Sequence, residues 1–91
     1  MAGPAWTFLT NHARVLLCLA EEPDLRLREA AGRIGITERA VQRIVTDLEE
    51  AGIVTRTREG RRNHYTISED ARLRHPSDAG ITVGDFLRLR L

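Results

Sequence analysis

Two apolar repeats of helical period, set on either side of a glycine, constrain this chain more than any other feature. Leu27, Ala30, Ala31 and Ile34 fall at i, i+3, i+4 and i+7, and Val41, Ile44, Val45 and Leu48 repeat the spacing. Each set marks one face of an amphipathic helix. Gly35 interrupts the pattern and Ile36 is apolar. The spacing predicts helices over about 27–34 and 38–51 that meet at a steep angle through a turn, with Ile36 plugging the junction. The paired alanines allow close helix–helix approach. Thr37 suits the N-cap of the later helix, Glu38 sits at the positive end of its dipole, and Gly52 follows its last turn.

Other elements assemble around this pair. Thr10 or Asn11 can cap a helix from Asn11 to Glu21, with Val15, Leu16 and Leu19 as its stripe and Pro23 beyond its end. Ile53 to Arg58 and Asn63 to Ile67 are rich in β-branched residues and Tyr, and Glu59-Gly60-Arg61-Arg62 between them completes a hairpin. Residues 68–74 suggest a short helical turn, and Pro76 to Gly80 a loop. Thr82 and Asp85 imitate a capping box for a last helix lined by Val83, Phe86, Leu87 and Leu91. The expected fold is mainly α with a small β-hairpin: a winged helix-turn-helix with a three-helix core, a two-stranded wing and a short C-terminal helix. The expected division is an N-terminal apolar arm over 1–10, the winged helix-turn-helix over 11–67, and a C-terminal extension over 68–91 that could serve dimerisation.

With 91 residues, 42 % of them hydrophobic, the chain can build one small core. No run of 18 apolar residues marks a membrane span, and no basic, then apolar leader opens the sequence, so a cytoplasmic protein without membrane contact is expected. Cys18 is the single cysteine and lies among leucines, which points to packing rather than redox chemistry. His12, His64 and His75 follow no zinc spacing, so neither a metal nor another cofactor is expected. No nucleophile–base pair or glycine-rich phosphate loop suggests an enzyme. Trp6, Phe8, Phe86, Leu87 and Leu91 admit two readings, closure of the monomer core and a dimer interface.

The net charge is only +1, but its distribution is uneven. All 14 Lys+Arg residues are arginine, a side chain suited to bidentate contact with phosphate and guanine. Opposite its apolar back, the 38–51 helix carries Glu38, Arg39, Gln42, Arg43 and Thr46, with Thr37 at its start. Arg39 or Arg43 could read guanine and Gln42 adenine in a major groove. The hairpin adds Arg56, Arg58, Arg61 and Arg62 against one acid, Glu59, with Asn63 and His64 beside them. Such a wing could follow the phosphate backbone or enter the minor groove. Asp47, Glu49 and Glu50 stand at the other end of the helix, expected to point away from phosphates. The expectation is a sequence-specific binder of double-stranded DNA acting as a transcriptional regulator, with two copies on a roughly palindromic site. The alternative is a protein–protein interaction module without DNA binding, disfavoured by the polar face of the 38–51 helix.

The stretch RLREAAGRIGITERAVQRIVTDLEEAGIVTRTREGRRNHYTI, residues 26–67, resembles the winged helix-turn-helix of MarR-like and ArsR-like bacterial regulators. The resemblance extends through LTNHARVLLCLAEEPD upstream and LRHP and TVGDFL downstream, and is similar to short single-domain MarR-like regulators of actinobacteria. Its most specific parts are ITERAVQRIVTDLEEAG and the GRRNHY wing. It implies a usually dimeric DNA binder, with Arg39, Gln42 and Arg43 at recognition-helix positions and Arg61, Arg62 and Asn63 on the wing.

Overall fold

In the computed structural model, which describes residues 3–89, three helices come first: α1 (Asn11–Glu21), α2 (Leu27–Ile34) and α3 (Glu38–Glu50). Thr10 and Thr37 cap α1 and α3, their hydroxyl oxygens accepting from Ala13 N–H at 3.2 Å and Ala40 N–H at 3.0 Å. Gly35 closes α2 at φ +86°, a left-handed conformation that costs a side-chain-bearing residue energy, and this lets the chain turn sharply into α3. The faces meet as their spacing requires: Ala30 and Ala31 of α2 and Val41, Ile44, Val45 and Leu48 of α3 are all buried, together with Val15, Leu16 and Leu19 of α1.

Strands β1 (Val54–Glu59) and β2 (Arg62–Ile67) pair antiparallel from Val54↔Ile67 to Glu59↔Arg62. The tip is the two-residue turn Gly60-Arg61, with φ +64° at Gly60, the first central position where II′ hairpin turns take glycine. Ile53, expected in the strand, instead donates its N–H to Leu48 O at 2.9 Å and completes the end of α3. The hairpin is anchored at its base. Tyr65 is buried, and its N–H donates to Pro23 O at 2.9 Å, tying β2 to the α1–α2 connection.

The segment after β2 departs from expectation. Residues 68–74 hold a single hydrogen-bonded turn, Ala71 N–H donating to Ser68 O at 3.2 Å, and no helix; the chain then runs beside residues 81–84, with Leu73 N–H donating to Ile81 O at 3.0 Å, Val83 N–H to Ala71 O at 2.7 Å and Gly84 N–H to Glu69 O at 2.9 Å. Beyond that turn, non-local pairing satisfies the segment's backbone groups. The one short 3-10 turn of this region is Pro76–Asp78, within the expected loop. The last helix, α4 (Val83–Arg88), has the full capping box: Thr82 Oγ1 accepts from Asp85 N–H, and Asp85 accepts from Thr82 N–H, each at 3.1 Å. The Thr82 backbone N–H, and then Arg88, hold the Asp85 carboxyl below its usual range. Val83 is fully buried in the common core, and Phe86 and Leu87 pack against it, half-buried. Leu91 lies outside the described residues. Trp6 and Phe8 take no part in the core, which rules out core closure for these two. No described helix is long and apolar enough to cross a membrane.

Candidate nucleic-acid interface

The apolar back of α3 fixes its rotation, because four buried side chains at helical spacing leave one orientation for the rest. Glu38, Arg39, Gln42, Arg43 and Thr46 are consequently all exposed. Glu38, Gln42 and Thr46 border a depression of about 470 Å³ whose other wall is the hairpin, with Arg56, Arg61, Arg62 and Asn63. Helix and wing therefore face one space. Arg39 and Arg43 lie on the adjoining flank of α3, in a second hollow of about 370 Å³ that shares Gln42 and Thr46 with the first. Arg58 and His64 border neither hollow.

Partners sort these side chains further. Among the described residues, Arg39, Arg43, Arg61 and Arg62 make no side-chain hydrogen bond or ion pair, so their guanidinium groups carry undivided positive charge into solvent. Thr37 spends its hydroxyl oxygen on the helix cap. Thr46 donates its hydroxyl to Gln42 O at 3.0 Å, and Gln42 Nε2 reaches Glu38 Oε2 at 3.4 Å, a weak contact a better partner can replace. Arg58 donates to Gly60 O at 3.2 Å and stiffens the tip. Arg56, a member of the basic cluster in the sequence, is engaged by Glu49 at 3.0 Å.

The acids of α3 are not gathered away from the basic face as expected. Glu49 turns toward β1, but Asp47 and Glu50 border the same hollow as Arg39 and Arg43, because residues 43, 47 and 50 share one helical stripe. Asp47 also holds His12 Nε2 at 2.8 Å.

His64 points to the α1–α2 connection, where its Nδ1 lies 2.8 Å from Asp24 Oδ1. The hydrogen bond to Asp24, aided by the charges of Asp24 and Glu59 and opposed by desolvation, raises the His64 pKa above its ordinary value. Asp24, Glu59 and His64 bring one ligand-capable atom each within 4.8 Å of one another, the one such group among the described residues. Counting histidine spacings could not find it, since two of its members are carboxylates brought in by the fold. His75 accepts from Ser77 N–H at 3.0 Å and starts the 3-10 turn. Sequence reasoning also passed over Arg26, which starts α2 and borders the depression between α3 and the wing. A signal for it exists: in a helix-turn-helix the first helix crosses the DNA backbone, so a cation at its start is well placed.

The sequence profile of the MarR family matches residues 7–62, from the arm through the tip of the hairpin. Among solved structures, a MarR family protein of Mycobacterium tuberculosis, crystallised in complex with salicylic acid, superposes with a TM-score of 0.55 and 31 % sequence identity. The match covers 66 % of this chain and 47 % of that one, so the chain spans about half the length of this relative. No curated protein matches.

Proposed function

This chain belongs to the MarR family, and on that premise we propose that it is a transcriptional regulator that binds double-stranded DNA, not an enzyme. In this reading α3 enters the major groove and the hairpin rests on the adjoining backbone or in the minor groove. The observation that carries it is the shared depression: the polar edge of α3 and the tip of the wing face one space, and the four arginines around them are unengaged among the described residues. A groove-sized helix with free guanidinium groups on both sides is the arrangement an anionic duplex requires.

The roles divide by chemistry. Arg39, Arg43 and Gln42 carry donors that match guanine O6/N7 or adenine N7, so they supply base preference. Arg61 and Arg62, on a turn rather than a helix, supply charge to phosphates; Asn63 adds a neutral donor beside them. Thr37 fixes the start of α3, Glu38 orients Gln42, Thr46 shapes the ridge between the two hollows, Arg58 braces the wing tip and His64 fastens its base. We place the protein on DNA as a homodimer.

The test is binding to a duplex selected from random sequence, followed by fluorescence anisotropy across salt concentrations. The parent should lose affinity steeply as salt rises. Arg43→Ala should cost about 1–3 kcal/mol on the selected site and relax the preference at one base position. The pair Arg61→Ala and Arg62→Ala should weaken binding to all sequences and lower the salt slope by roughly 0.9 for each phosphate no longer neutralised. A double wing variant that binds with the parent's affinity and slope sinks this docking.

A further inference from the structure

A groove of about 430 Å³ adjoins the hollow that holds Arg39 and Arg43, sharing Asp47 with it, and is lined by none of the residues assigned to DNA contact. Ala13 and Leu16 of α1, Leu48 of α3, and Ile53, Val83 and Phe86 build its apolar floor. Its volume is in the range that takes a drug-sized group. Val83 and Phe86 come from the C-terminal segment, beyond the residues that match the family profile. The arm that precedes α1 carries the reverse problem. Trp6 is 75 % exposed and Phe8 90 % exposed, two large aromatic side chains in water within three positions.

We propose that this groove receives the N-terminal arm of a second copy of the chain, the Trp6 and Phe8 rings of each copy entering the groove of the other. The inference deepens the homodimer reading above and is independent of DNA contact. Three observations carry it. The first is placement. Thr10, which caps α1, itself borders the groove, so each arm departs from its own groove's rim. A two-fold axis that sets two such rims face to face brings each arm to the partner's opening, and makes the contact self-complementary.

The second is area. Buried aromatic side chains cover roughly 150–250 Å² each, and four of them with a matching area of groove reach the about 1,200–2,000 Å² of a stable interface. Leu89, 83 % exposed, and Ile81, 44 % exposed, extend the apolar surface along the same C-terminal segment. The third is polarity at the rim. A buried indole N–H needs an acceptor, and Asp47 and Asp78 stand at the edge. Arg74, also at the edge, can lie over an aromatic face.

Trp6 is the sole tryptophan of the chain, so its fluorescence reports the arm directly. The experiment records emission wavelength and molar mass together, by sedimentation, on dilution of the intact protein without DNA. The expected result is a mass twice the 10.3 kDa chain at high concentration, with blue-shifted Trp6 emission, and both signals changing at the same concentration. Phe8→Ala alters an exposed side chain and should leave the circular dichroism unchanged while raising the dimer dissociation constant at least tenfold. Ala51→Glu, which puts a carboxylate in the groove wall, should shift Trp6 emission back to the red and restore the single-chain mass.

Blue-shifted emission at single-chain mass means the arm lies in its own groove and overturns the proposal. So does a dimer whose Trp6 stays red and which Phe8→Ala leaves intact, because pairing then uses another face. Persistence of the blue shift in Ala51→Glu removes the groove from the account, and a chain that never doubles its mass removes the partner. A protein that pairs as described yet ignores DNA would refute the function proposed above and leave this inference standing.

Discussion

At the residue scale, three threonines do the same work at three helix starts, each accepting a backbone N–H that the helix cannot satisfy itself. Thr37 matters most to the interface because the turn it secures carries Arg39. Thr37→Ala should lower stability by about 1 kcal/mol in a denaturant titration. It should also weaken DNA binding beyond that of Thr37→Ser, which keeps the accepting oxygen. His64 offers a second residue-level measurement. Its pKa is raised, so the protonated imidazole is the form the folded wing prefers. The contribution of the His64–Asp24 contact is fully present below the ordinary histidine value of about 6.5 and declines to nothing as pH rises through the elevated folded value. Asp24→Asn should move the His64 NMR titration midpoint down toward that ordinary value; an unmoved midpoint would contradict the assigned cause. The threonine caps were legible in the sequence because a cap is a local pattern. The His64–Asp24 contact was not, since its members stand 40 positions apart.

At the scale of elements, α3 and the wing behave as one surface because their bases are joined. Arg56 on β1 is held by Glu49 near the end of α3, and Tyr65 on β2 is held by Pro23 ahead of α2. The Arg56–Glu49 pair is half-exposed and worth no more than about 1 kcal/mol to stability. Its larger effect is on charge, since it keeps one wing cation occupied. Glu49→Gln should therefore release Arg56 toward the duplex, tighten binding at low salt and steepen the salt dependence by up to about 0.9 in slope. Anisotropy titrations at several ionic strengths would show it, and an unchanged slope would mean that Arg56 cannot reach a phosphate. Among the elements themselves, the three helices and the hairpin follow from apolar period, caps and two turn glycines, Gly35 and Gly60, all readable within a few residues. The segment 68–74 did not follow. Its conformation is set by residues 81–84, and no local propensity announces a partner about ten positions away.

At the scale of the molecule, one core runs from Val15 to Val83, and two different surfaces stand on it. One is polar, bounded by α3 and the hairpin; the other is the apolar groove closed by the C-terminal segment. If two copies pair and each offers its α3 to the same face of a duplex, selected sites should be roughly palindromic, with half-sites about 10 base pairs apart or a multiple of that. Enriched sequences without two-fold symmetry would count against paired binding.

The amino-acid order alone determined which faces of the helices turn inward, where they begin, and that Glu38, Arg39, Gln42, Arg43 and Thr46 would be left outside. Those outcomes depend on periodicity and caps, which act over one or two turns. Tertiary structure alone decided which charges stay unengaged, that Asp47 and Glu50 share a hollow with Arg39 and Arg43, and that Trp6 and Phe8 find no place in the chain's own core. The reason is range: pairing and burial depend on distances between residues far apart in the chain, and those distances exist only once the backbone has closed on itself.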